Sequence, residues 1–178
     1  MMPLIRRATG HRALLRSFDS LLMHVTDYTT VAAIQAEGLR PQPLGSEWST
    51  RLLSRTGKWT YASDSWGSGV SYWTQVVSGF PLVLLGFKPR RTDRWESDHV
   101  GNAEEGMGAA CNWRTSNTVT PGRIFWLSEN LIWQPIATWV APETEDDAEE
   151  MMLDLLDLDA GLNDARLYDA WARRTGAT

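Results

Sequence analysis

Three histidines (His11, His24 and His99), one cysteine (Cys111) and ten tryptophans narrow the chemistry open to this 178-residue chain. A single thiol builds neither an internal disulfide nor a site of several thiolates. With only three histidines beside it, a structural zinc is not expected. Cys111 has no histidine next to it in sequence and reads as inert. No Ser-His-Asp arrangement and no Walker loop occurs, and no GxGxxG follows any strand-like segment. Asp154, Asp157 and Asp159 are closely spaced, but the glycine and terminal glutamate of a calcium loop are missing. The pair Glu104/Glu105 reads as solvated loop. Several of the tryptophans could offer stacking faces for a flat ligand, although most belong in a core.

Charge is divided along the chain. Residues 1–141 hold 14 Lys+Arg against 11 Asp+Glu, whereas residues 142–178 hold 3 against 11. A mildly basic body fits an anionic ligand such as a nucleotide, and the strongly acidic tail fits a basic partner or a solvated helix. No apolar run approaches the roughly 20 residues that cross a bilayer. Arg6, Arg7, Arg12 and Arg16 crowd the N-terminal end without the apolar core of a secretory signal, so a cytoplasmic protein without membrane partners is expected.

The elements that must position the candidates follow from pattern. Ser20–Thr26 is apolar with β-branched residues and predicts a strand. TTVAAIQAE predicts a helix capped by Asp27 or Thr29/Thr30, ended by Gly38 in a left-handed conformation and blocked by Pro41. Residues 42–57 read as a polar loop, Trp59–Ser63 as a short strand, and Gly69–Val77 as a second helix. Pro81–Lys88 is a continuous apolar run, as in a strand covered on both faces. Residues 89–121 read as one long polar loop. Arg123–Leu127 and Gln134–Ala141 predict the last strands. Helices follow from PETEDDAEE onward, with a break at Gly161. The expected class is α+β, divided into a basic segment (1–19), one domain (20–141) and an acidic helical tail (142–178).

Three stretches taken together resemble the ADP-ribosyltransferase superfamily, in its histidine–tyrosine branch. They are His24-Val-Thr26 followed by DYTTVAAIQAEGLRPQ; Tyr61-Ala-Ser63-Asp followed by SWGSGVSY up to Tyr72; and FPLVLLGFKP with the later GRIFWLSENLIWQPI. The branch includes diphtheria-toxin-like enzymes, poly-ADP-ribose polymerases, DNA-targeting ADP-ribosyltransferases and RNA 2′-phosphotransferases. The resemblance covers about residues 20–141. It implies split antiparallel sheets with short helices, and transfer of ADP-ribose from NAD to a macromolecular acceptor, protein or nucleic acid, in a toxin or phage–host setting.

By the same resemblance, His24 would bond a ribose hydroxyl and the backbone near Val25 and Thr26 would receive the nicotinamide amide. Tyr61 and Tyr72 would clamp the ring, Ser63 would brace a carboxylate, and His24, Tyr61 and Glu129 would be the catalytic set. The chain departs from the pattern where the family carries a strand glutamate, because TPGRIFWL has no acid and the first is Glu129, in a turn. Arg123 facing the cleft would instead suit phosphate, as in the RNA 2′-phosphotransferases, and Arg7-Ala-Thr-Gly-His11 resembles a run of that group. A binding module that has lost catalysis, engaging a basic partner through its acidic tail, is the other reading.

Overall fold

Leu82–Phe87 (LVLLGF) is buried at all six positions, as its unbroken apolar run requires of a strand covered on both faces. The computed structural model describes residues 21–43, 58–66, 81–98, 112–157 and 163–176. Along the chain these form β1 (Leu22–Asp27), α1 (Val31–Glu37), β2 (Gln42–Pro43), β3 (Lys58–Ser63), β4 (Leu82–Phe87), β5 (Glu96–Ser97), β6 (Asn112–Thr115), β7 (Phe125–Leu127), β8 (Trp133–Pro135), α2 (Glu145–Asp157) and α3 (Asp164–Thr175). Short 3-10 turns occupy Tyr28–Thr30, Arg91–Asp93, Pro121–Arg123 and Ile136–Thr138. The protein is thus mixed α+β. Seven strands lie in the order β5-β6-β3-β1-β4-β7-β8, all neighbours antiparallel, and β2 pairs β3 outside that path.

Two apolar layers cover the sheet. On one face Leu22, Val83, Leu85 and Phe87 pack with Val31 and Ile34 of α1 and with Trp95, Trp113 and Ile136. On the other, Leu21, Met23, Val25, Leu82 and Leu84 pack with Trp133 and with Leu167, Ala170 and Trp171 of α3. Gly86 lets Trp133 come this close. A Cβ built there would lie 2.6 Å from the indole and 2.9 Å from Leu21 Cδ1.

Several sequence expectations change. The stretch 89–121 is not a single loop, because β5 and β6 lie within it and extend the sheet beyond β3. Pro121-Gly-Arg123 turns as a 3-10 helix, so the strand expected from Arg123 starts at Phe125. The expected strand 134–141 ends at Pro135, and Ile136 donates its N–H to Ile124 O before the chain turns again. Gly38 has the positive φ expected of it, 81°, but its ψ of −178° is extended rather than left-handed helical. A side chain there would also meet Val119 O. The second helix expected at Gly69–Val77 lies outside the described residues.

The acidic segment is part of this architecture. α2 opens with a reciprocal cap, Thr144 N donating to Asp147 Oδ2 and Asp147 N donating to Thr144 Oγ1. Its Ala148 is buried, whereas Glu145, Asp146, Asp147, Glu149, Glu150 and Asp154 are exposed. α3 starts on Asn163, whose side chain accepts from Arg166 N, and buries Leu167, Ala170 and Trp171 at helical spacing. Trp171 meets Trp133 and Phe125 edge-on, at 5.7 and 5.5 Å between ring centroids. No helix among the described residues is long and apolar enough to cross a membrane.

Candidate functional site

The central strands β1 and β3 meet over a single ladder pair, Met23 opposite Ser63, whereas β1 pairs β4 along its whole length. At the next residue the link between them is a side chain: His24 Nδ1 lies 2.8 Å from the carbonyl oxygen of Tyr61. A carbonyl only accepts, so Nδ1 carries the proton. Burial holds the His24 pKa below its usual value despite that hydrogen bond, and the ring is therefore a neutral imidazole. Its Nε2 is left as an acceptor and has no hydrogen-bond partner among the described residues. A neutral acceptor of this kind receives a hydroxyl or amide proton without needing to change charge.

Strand alternation assigns the other side chains. His24 and Thr26 share the α1 face of β1 with Leu22, whereas Tyr61 and Ser63 leave β3 on the opposite face, with Met23 and Val25. Imidazole and phenol therefore meet through the Tyr61 main chain, at the point where the strands part. Thr26 Oγ1 is 2.6 Å from Thr30 Oγ1, and Ser63 Oγ accepts from Ser65 N at 3.0 Å. Both hydroxyls thus brace local turns. Tyr72, expected opposite Tyr61, lies outside the described residues, as do His11, His99, Cys111 and Glu104/Glu105.

Arg123 and Glu129 are positioned elsewhere. The Arg123 guanidinium forks onto Asp93, Nη1 to Oδ1 at 2.8 Å and Nη2 to Oδ2 at 2.6 Å, and also donates to Lys88 O. Asp93 is 5% exposed and accepts further from Arg90 N and Trp95 Nε1. Burial would push its carboxyl upward, but Arg123 and these donors hold it below the usual carboxylate range. The pair ties the turn after β4 to the turn before β7 and spends the end-on edge of Arg123 within the fold. Glu129 is exposed in the turn after β7. It lines a small groove with Tyr28, Trp126, Trp139, Met151 and Met152, about 20 Å³ in volume, whose described lining includes neither His24 nor Tyr61.

Sequence reasoning missed the polar row beside Tyr61. Across β3, β6 and β5 the register aligns Tyr61, Arg114 and Glu96, and the next row holds Ser63 and Asn112, with Asp98 N donating to Asn112 O. Glu96 and Asp98 are 7% and 2% exposed, far more buried than carboxylates usually are. The signal was a two-residue alternation in WESD and NWRT, too short to separate from loop. Among the described residues no group of three or more His, Cys, Asp and Glu could hold a metal ion.

Fold and site together define a mixed α+β protein with a neutral histidine in the split between its two central strands. Comparison with family models, with curated proteins and with solved structures finds no match to the chain.

Proposed function

We propose that this protein is an NAD-dependent ADP-ribosyltransferase with an ADP-ribosyltransferase-like sheet, acting on a protein or nucleic-acid acceptor. The observation that carries the reading is the neutral His24 at the parting of β1 and β3, its Nδ1 committed to Tyr61 O and its Nε2 open as an acceptor. In NAD the bond between nicotinamide N1 and ribose C1 breaks with its electron pair going to the ring nitrogen, which cancels the positive charge of the ring. The ribose takes on cationic character until an acceptor oxygen or nitrogen bonds to the same carbon and loses its proton to solvent. Such a loose transition state needs positioning and nearby negative charge more than acid–base power. His24 Nε2 would accept from a ribose hydroxyl, and the Val25–Thr26 backbone, beyond the single β1–β3 pair, would meet the carboxamide. Tyr61, with Tyr72, would line the ring from the opposite face of the split, and the buried Asp98 is a better candidate than Glu129 to steady the cation.

Calorimetry with NAD tests this, alongside chromatographic measurement of released nicotinamide. The expected Kd lies in the micromolar-to-millimolar range of substrate sites. His24→Ala should weaken it about two- to tenfold, the loss of about one hydrogen bond, while Glu129→Gln should leave turnover within about twofold. Wild-type protein that gives no heat and releases no nicotinamide refutes the reading.

One observation favours a second reading, a non-catalytic module for a basic partner: α2 turns Glu145, Asp146, Asp147, Glu149, Glu150 and Asp154 outward while Met151 and Met152 contact the apolar layers.

A further inference from the structure

Arg114 sits on β6 opposite both Tyr61 of β3 and Glu96 of β5. Opposed residues of neighbouring strands share a face, so the three side chains form one transverse row. Arg114 Nε and Nη2 both approach Glu96 Oε1, each at 2.9 Å, and the guanidinium carbon lies 4.3 Å from the centroid of the Trp59 ring. One carboxylate and one indole face therefore fix the plane of the guanidinium. Its side chain is 15% exposed, so its heading is set by packing while part of it still reaches solvent.

A guanidinium has two edges that can grip an oxyanion with two parallel N–H bonds. Glu96 occupies the side-on edge, Nε with Nη2. The end-on edge, Nη1 with the remaining hydrogen of Nη2, has no partner among the described residues. It is held rigid, one strand from Tyr61, in a sheet whose strands are about 4.8 Å apart. Because Glu96 offsets the charge of Arg114, and Asp98 is close by on the same face, the contribution of this group is directional. What fits such an edge is a group with two oxygens in one plane.

Building on the NAD reading, we propose that Arg114 is the phosphate contact of the site: its end-on edge grips the pyrophosphate of NAD, and Glu96 and Trp59 are positioning residues that aim it. In NAD a ribose separates the nicotinamide ring from the first phosphate, and here a single strand spacing separates the tyrosine strand from the guanidinium strand. No bond is made or broken at Arg114.

The test compares NAD with nicotinamide riboside, which carries the ring and its ribose but no phosphate. Calorimetry is run on the full-length wild type, on Arg114→Lys, and on the double variant Glu96→Gln/Arg114→Gln. The double variant leaves no unpaired buried charge, so its folding, followed by thermal denaturation, is preserved. NAD affinity should fall about 10- to 100-fold in the double variant, the range of a lost charge-assisted hydrogen bond. It should fall in Arg114→Lys as well, because an ammonium keeps the charge without the fork. Riboside affinity should stay within twofold throughout. NAD affinity unchanged in the double variant overturns the proposal and spares the NAD reading. Equal losses for NAD and riboside overturn it too, by making the pair purely structural. If the wild type binds neither compound, the NAD reading itself fails and takes the proposal with it.

Discussion

Arg123→Gln separates a structural arginine from a ligand-binding one. In the native protein Arg123 meets Asp93 through two bonds of 2.8 and 2.6 Å, with side-chain exposures of 11% and 7%. Removing the cation leaves the buried carboxylate with Arg90 N and Trp95 Nε1 but without a countercharge. Breaking a buried pair from one side costs about 3 kcal/mol, at the lower end of its range because Asp93 keeps those two donors. For a chain of this size each kcal/mol shifts the midpoint by about 2–4 °C, so the melting temperature should drop by about 6–12 °C. Asp93→Asn/Arg123→Gln should recover part of that loss, because neither member is then charged. The assay is calorimetric or tryptophan-fluorescence melting, paired with NAD titration at a temperature where the variant is folded. Asp93 also fixes the sign of the acid limb. Its carboxyl is held below the unfolded value near 3.9, so its contribution is complete above that pH and is lost as pH falls through the lower folded value. Asp93→Asn should therefore flatten the fall in stability below about pH 4. An Arg123→Gln protein that melts like wild type yet no longer binds NAD would refute this reasoning and return Arg123 to the site.

Two further outcomes follow from burial. Deleting residues 163–178 removes Leu167, Ala170 and Trp171 from contact with Trp133 and should cost at least about 4 kcal/mol, seen as a lowered urea midpoint and red-shifted tryptophan emission; a truncated chain as stable as the whole would show α3 to be a passive extension. His24 is partly buried and held neutral with its pKa below 6.5, so the stability it confers is full above that value and declines as pH falls from 6.5 toward the folded pKa. Replacing it with Gln should remove that part of the slope in a melting series from pH 8 to 5, and an unchanged slope would mean the ring is not held neutral.

The parts of the fold that were legible are those where burial writes a regular pattern. β4 is covered on both faces and had to be apolar throughout, and β1 carries apolar residues toward both layers. β5 and β6 were hidden for the opposite reason. Glu96-Ser97 and Asn112–Thr115 are two and four residues long, alternate tryptophan with polar groups, and depend on the edge of β3 for their pairing. An alternation that short looks the same as a polar loop. α3 was legible as a helix after Gly161, but the acidic count of the last residues hid its docking on the sheet, because its inward stripe is only Leu167, Ala170 and Trp171. Of the candidate site, His24 and Tyr61 could be named because the stretches that carry them resemble the ADP-ribosyltransferase pattern. Arg114 and Glu96 could not, because their partnership exists only through strand register.

That register also explains why the C-terminal helix matters to the central strands. β1 and β3 are closed at Met23 and Ser63 and part beyond His24. Tyr168 of α3 sits at the closed end, its hydroxyl 3.3 Å from Leu21 O, just before Met23, and 3.2 Å from Asp64 O, just after Ser63. One hydroxyl proton shared between two carbonyls holds both strands to one helix. Burial, with Asp64 and Asp164 nearby, pushes the phenol up to about 12, so the donor persists at any neutral pH. Asp164 extends the grip by accepting from Trp66 N at 2.5 Å. The helix thus fastens the closed end of the two strands between which the His24 side chain bonds Tyr61 O.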